Sequence, residues 1–150
     1  MDKTVLAYIK KDDTYLMLYR NKKHNDMNEG KWIGIGGHIE ENESKEDALK
    51  REIKEETGLD VLSYTYRAKL TFINDDYEEI MYLFTVEEFK GEIIDCDEGE
   101  LHFVKIKDIP HLNIWEGDKV FLDLLLKDEP YFELLLRYKL DKLVEVERIC

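Results

Sequence analysis

Between Ser44 and Gly58 the sequence writes both ends of a helix and gives that helix a face no helix adopts for its own stability. Ser44 offers a capping hydroxyl with the acid Asp47 three residues on, and Gly58 is a natural left-handed terminator. Inside these limits Glu52, Glu55 and Glu56 stand at i, i+3 and i+4, which at 100° per residue places them in one arc of about 100°. Like charges at these spacings destabilise a helix by a few tenths of a kcal/mol per pair. A purely structural design gains nothing from them, so something positive is expected on that face. Hard divalent cations take oxygen ligands, and Mg²⁺ is commonly held by a few carboxylates together with substrate phosphates. The alternative for a bare E-x-x-E-E is a solvated acidic face. Just upstream, Trp32-Ile33-Gly34-Ile35-Gly36-Gly37 reads as a short strand that stops at paired glycines, where backbone or ligand can approach closely.

The rest of the chain supplies a sheet for this helix to cover. Residues 4–9 and 15–20 are β-rich runs around the turn-forming Lys11-Asp12-Asp13-Thr14, and 21–31 is polar and loop-like. Residues 61–73 and 79–86 flank the turn Asn74-Asp75-Asp76, and 101–106 reads as a further strand. Residues 118–127 place Val120, Phe121, Leu124 and Leu125 at helical spacing. Residues 131–138 and 143–148 read as a terminal hairpin, although the Leu-rich part also suits a helix. Strands interleaved with one early and one late helix predict an α/β (α+β) fold, a mixed sheet covered on both faces. A length of 150 residues with no linker or repeat predicts one domain over residues 1–150.

Charge and cysteine usage narrow the partners. Asp and Glu number 35 against 22 Lys and Arg, a formal charge of -13 that repels phosphate backbones and anionic membranes. Neither a nucleic-acid polymer nor a membrane is expected as a partner. Cys96 and Cys150 are too few for a disulfide framework or a cysteine-rich zinc site, and Met1-Asp2-Lys3-Thr4 lacks a signal-peptide layout. The setting read from these features is cytoplasmic. His24, His102 and His111 have no metal-ligand spacing and read as ordinary surface or strand residues.

The surroundings of the carboxylates decide between the two readings of that face. Gly37, Glu43, Arg51, Glu52, Ile53, Glu55, Glu56, Gly58 and Leu59 fit the pattern G-x5-E-x7-R-E-U-x-E-E-x-G-U, with U aliphatic, at every position. With average residue frequencies, a chance match is on the order of one in ten million. The segment resembles the signature of the Nudix hydrolases. The resemblance implies an α/β/α sandwich with a catalytic loop-helix-loop, and hydrolysis of a nucleoside diphosphate linked to another moiety. It implies Mg²⁺ or Mn²⁺ held by Glu52, Glu55 and Glu56 with help from the Gly36 carbonyl. It assigns general-base work to Glu52, an orienting role to Arg51, support to Gly37 and Glu43, and a late-loop ligand or base to Glu98 of Asp97-Glu98-Gly99-Glu100. His38, directly after Gly37, is placed to contact phosphate.

For the substrate, Gly30–Gly37 and Ile114-Trp115-Glu116-Gly117-Asp118 look like segments of the MutT-like 8-oxo-dGTP diphosphatase subgroup, which hydrolyses oxidised purine nucleoside triphosphates. Phe72, Trp115 and Asp118 are thereby expected to bind the base. The chain departs from that subgroup at Ile33, where relatives carry a pocket Asn, and at Gly117, which replaces the first of two adjacent acids. The alternatives are a diphosphatase for a dinucleoside polyphosphate, nucleotide sugar or coenzyme, and a non-catalytic nucleotide sensor. The expected state is a monomer or homodimer with a nucleotide substrate.

Overall fold

The computed structural model of the chain describes residues 1–22, 24 and 26–150, so two positions of the expected 21–31 loop, Lys23 and Asn25, lie outside the described residues. Strands β1 (Asp2–Lys11) and β2 (Thr14–Tyr19) form the expected hairpin, but they pair only at its tip, Lys10 with Tyr15 and Lys11 with Thr14. Asp12 makes the turn with a φ of 54°, a left-handed conformation that Asp tolerates because its short side chain bonds locally. Beyond the tip the two strands part, and the run expected as one strand over 32–37 is instead two. β3 (Trp32–Ile33) pairs with β2, and β4 (Ile35–His38) pairs with β1 over Thr4–Ala7. One extended segment cannot pair with two diverging strands, so the chain steps from one to the other at Gly34.

The sheet then runs β4-β1-β6-β5-β8-β9, where β5 is Asp60–Asn74, β6 Tyr77–Lys90, β8 Phe132–Lys139 and β9 Lys142–Arg148. β1 is parallel to β6 and β5 to β8, and the other pairings are antiparallel, which makes the sheet mixed. β7 (Glu100–Lys105) extends it from β2. The Leu-rich segment is a strand. Its buried residues, Phe132, Leu134, Leu136 and Tyr138, recur with the period of two that a sheet face requires.

Two helices cover opposite faces. α1 (Lys45–Thr57) buries Ala48, Leu49 and Ile53 against Val5, Ala7, Ile9, Leu16 and Phe84. α2 (Glu116–Leu126) buries Phe121, Leu122 and Leu125 against Tyr8, Leu70, Leu83, Leu134 and Leu136. Successive residues of β1 thus feed different cores, and each fully buried large side chain contributes roughly 1.5–3 kcal/mol. The Ser44 hydroxyl accepts the Asp47 N–H at 3.0 Å, and Gly58 closes α1 at a φ of 81°. α2 starts at Glu116, two residues ahead of the expected span 118–127, after a 3₁₀ turn over Ile106–His111 that the sequence did not signal. Among the described residues no helix is long and apolar enough to cross a membrane.

Candidate active site

Arg51 organises the acidic end of the site. Its Nε and Nη2 donate to both oxygens of Glu43 (2.8 and 2.9 Å), Nη1 donates to Glu52 (2.8 Å) and to Glu55 (3.3 Å), and Nη2 also reaches the His38 carbonyl (3.0 Å). The guanidinium beside Glu43 lowers that carboxyl to about 2, and Glu43 in turn holds Arg51 firmly in its charged form. A fixed fork of this kind fixes what it touches, and the orientation of Glu52 is set through Glu43. Gly37 allows the closeness: a Cβ there would collide with the Glu52 carboxyl group.

Glu56 reaches deeper. One of its oxygens accepts the Gly36 N–H at 3.2 Å, and its carboxyl is hydrogen-bonded to Glu98, with Glu52 near enough to add repulsion. Burial, followed by the Glu98 contact, pushes the Glu56 carboxyl well above the ordinary carboxylate range, and burial also raises Glu52. The buried Arg20 reaches Glu98 at 3.3 Å and also pairs with Asp26. Glu55 differs from its two neighbours: its side chain is 60% exposed and stands outside the cavity, tethered to Arg51. Glu52, Glu56 and Glu98 thus lie near one another and are of the hard oxygen-donor kind that divalent cations take, but among the described residues no three His, Cys, Asp or Glu side chains are arranged to hold an ion as they stand.

A cavity of about 480 Å³ extends from these carboxylates to an aromatic cluster. Trp115, buried, meets Phe72 and Tyr138 edge to face at 5.4 and 5.1 Å, and the Lys31 ammonium lies 4.6 Å from its ring centre. Asp118, on the first turn of α2, lines the same cavity and makes no side-chain hydrogen bond among the described residues. Burial pushes its carboxyl up to about 8, against the opposing pull of Lys31. Ile33 lines the cavity without a polar group, and His38 stands at its rim, exposed and 3.6 Å from Asp2. The fold therefore brings Glu52, Glu56, Glu98, Arg51, Gly36, Gly37, His38, Phe72, Trp115 and Asp118 to one cavity and leaves Glu43 and Glu55 behind it. His24, His102 and His111 are exposed, as expected.

Sequence reasoning missed several lining residues. Asn28 accepts the Trp115 Nε1–H at 2.7 Å, Arg20 holds Glu98, and Tyr77 and Thr4 donate to the two oxygens of Glu79 at 2.7 and 2.6 Å. None sits in a periodic or spaced pattern. Asn28 falls in the polar stretch 21–31, which the sequence signals only as a loop.

The chain matches the NUDIX domain over residues 2–125. It is 31% identical over 146 residues to the uncharacterized Nudix hydrolase YvcI of Bacillus subtilis, covering 87% of this chain and 88% of that protein. It is 28% identical to the oxidized purine nucleoside triphosphate hydrolase of Danio rerio, over 78% of this chain and 81% of that one. A MutT protein from Bacillus halodurans shares its fold at a TM-score of 0.89 and 24% identity, covering 99% of this chain and 98% of the other.

Proposed function

The chain belongs to the NUDIX domain family, and we propose that this Nudix hydrolase cleaves a nucleoside triphosphate carrying an oxidised purine, such as 8-oxo-dGTP, into monophosphate and pyrophosphate. The observation that carries this reading is one cavity with crowded carboxylates at one end and the Phe72–Trp115–Asp118 cluster at the other. A triphosphate and a flat, partly polar base need those two environments in that order. The similarity to the fish enzyme named for oxidised purine triphosphates supports it. Residues 1–150 act here as one cytoplasmic domain.

Glu52, Glu56 and Glu98 would hold Mg²⁺ or Mn²⁺, with Glu55 and the Gly36 carbonyl as the further ligands that the signature implies. Such an ion, when bound, offsets phosphate charge and makes a bound water more acidic. Glu52 accepts the proton of the attacking water as its oxygen bonds to phosphorus and the bond to the leaving pyrophosphate breaks. Arg51, anchored by Glu43, holds the Glu52 carboxylate in line for that transfer. His38 meets a phosphate oxygen at the rim, Phe72 and Trp115 form the wall for the purine, and Asp118 meets its polar edge.

The test is hydrolysis with Mg²⁺ of 8-oxo-dGTP, the four ordinary deoxynucleoside triphosphates, a dinucleoside polyphosphate and a nucleotide sugar, with products separated by ion exchange. The expected result is highest kcat/KM for 8-oxo-dGTP, release of monophosphate plus pyrophosphate, and reversible loss on chelation. Faster cleavage of the dinucleotide or sugar conjugate would replace the triphosphate reading. A second expectation follows from the closeness of Gly37 to Glu52. Gly37→Ala forces the Glu52 side chain aside, so kcat should fall at least about tenfold. Its Tm should move by only a few degrees, because a flexible carboxylate is what gives way.

A further inference from the structure

We infer that Asn28 reads the base, its side-chain amide donating a hydrogen bond to a keto oxygen of the bound purine. The inference rests on the proposed triphosphate reading and adds a specificity-determining residue to it.

The orientation of the amide follows from its partner. Indole Nε1–H is a donor only, so the Asn28 atom 2.7 Å from it is the carbonyl oxygen Oδ1. Nδ2, with its two protons, then stands on the other side, and it meets no acceptor among the described residues. Asn28 itself lines the cavity. The backbone gives the group little freedom: the Asn28 carbonyl accepts the Lys31 N–H at 2.9 Å, the Gly30 N–H donates to the Arg20 carbonyl at 2.8 Å, and Asn113 Nδ2 donates to the Gly30 carbonyl at 2.8 Å. The Trp32 N–H donates to the Asn113 carbonyl at 2.9 Å. The loop is thus bolted to the Trp115 segment at several points, and the amide is held in place before any ligand arrives.

The neighbouring groups leave Asn28 a distinct task. Ile33 and Met81, packed against Phe72 and Trp115, offer no hydrogen bond. The Trp115 donor is taken by Asn28, and the Tyr77 hydroxyl beside Phe72 gives its proton to Glu79. Among the described residues that line the cavity at this end, what remains is the Asp118 carboxyl and the Asn28 donors, since Lys31 and the Tyr8 and Tyr138 hydroxyls of the cluster lie outside the lining. A carboxyl donates or accepts according to its proton, whereas an amide nitrogen only donates. Asn28 therefore favours a base edge that presents an oxygen acceptor and disfavours one that presents an amino donor, since facing donors leave each other unpaired.

The experiment compares kcat/KM for 8-oxo-dGTP and dATP in wild type, Asn28→Asp and Asn28→Ala, with Tm and tryptophan emission recorded for each. Asn28→Asp keeps an oxygen for the indole and removes both donors; Asn28→Ala removes both functions. The ratio of 8-oxo-dGTP to dATP activity is expected to fall at least about tenfold in both variants, with emission and Tm unchanged in Asn28→Asp. An unchanged ratio, or an equal loss on both substrates, would show that Asn28 only props Trp115 and would overturn the inference while leaving the purine reading intact. A wild type that treats the two substrates alike would overturn both.

Discussion

Glu56→Gln is expected to lower kcat at least about a hundredfold while the metal-free protein melts no lower than wild type, and even somewhat higher. The substitution keeps size and keeps an acceptor for the Gly36 N–H, so the local hydrogen bonding survives. What it removes is the charge on the deepest carboxylate of the cluster, the one wedged between Glu52 and Glu98. Loss of one ligand charge in direct contact with a catalytic ion is costly to activity. Stability moves the other way. Burial and the Glu98 contact raise the Glu56 carboxyl in the folded state, so its contribution is fully present below the unfolded carboxylate range and is lost as pH rises through the raised value. At neutral pH without metal the wild type carries that penalty and the glutamine does not. Turnover with Mg²⁺ and melting in the presence of chelator measure the two arms, and near wild-type turnover would remove Glu56 from the metal site. The signature sets Glu55 on equal terms, but its exposure and its place outside the cavity rank it below Glu56.

The acidic end of the site was legible because its information is local. Ser44 and Gly58 fix the helix, and the spacing of Glu52 and Glu56 then fixes a face, whatever the rest of the chain does. The base end is assembled from distant segments. Trp115 is held by Asn28 from an early loop, by Phe72 from β5 and by Tyr138 from the last hairpin, and no spacing in one segment encodes a contact between strangers. Resemblance could therefore point to Phe72, Trp115 and Asp118, whose segments look like a known site, and could not point to Asn28. The fold shows the same division. Alternation and turn residues disclosed most strands, yet the split of the 32–37 run depends on how far β1 and β2 have diverged. The Leu-rich segment 131–138 was ambiguous until β5 supplied a parallel partner.

Asp118→Asn is expected to leave stability almost unchanged below about pH 4 and to make the protein progressively more stable than wild type up to about pH 8, with the gap held from there to about pH 9. Asp118 is 8% exposed, and burial raises its carboxyl to about 8. The unfolded chain releases that proton near the ordinary Asp value of about 3.9. Between those limits the folded wild type holds a proton that the unfolded state has lost, so its stability falls as pH rises and levels off above about 8. Asparagine has no proton to lose, which removes that slope while the other titrating groups stay common to both proteins. The gap opens at up to about 1.4 kcal/mol per pH unit, and at roughly 2–4 °C per kcal/mol for a chain of this size the difference in Tm should reach about 5 °C or more by pH 9. Substrate binding supplies an independent reading of the same group. A neutral carboxyl can donate to a keto oxygen of the base and the ionised form cannot, so the wild-type KM for 8-oxo-dGTP should climb above pH 8. The Asp118→Asn protein keeps a donor at every pH, and its KM should stay flat across the same interval. Parallel KM profiles and a constant Tm gap would show that the Asp118 carboxyl is ionised throughout and does not meet the base.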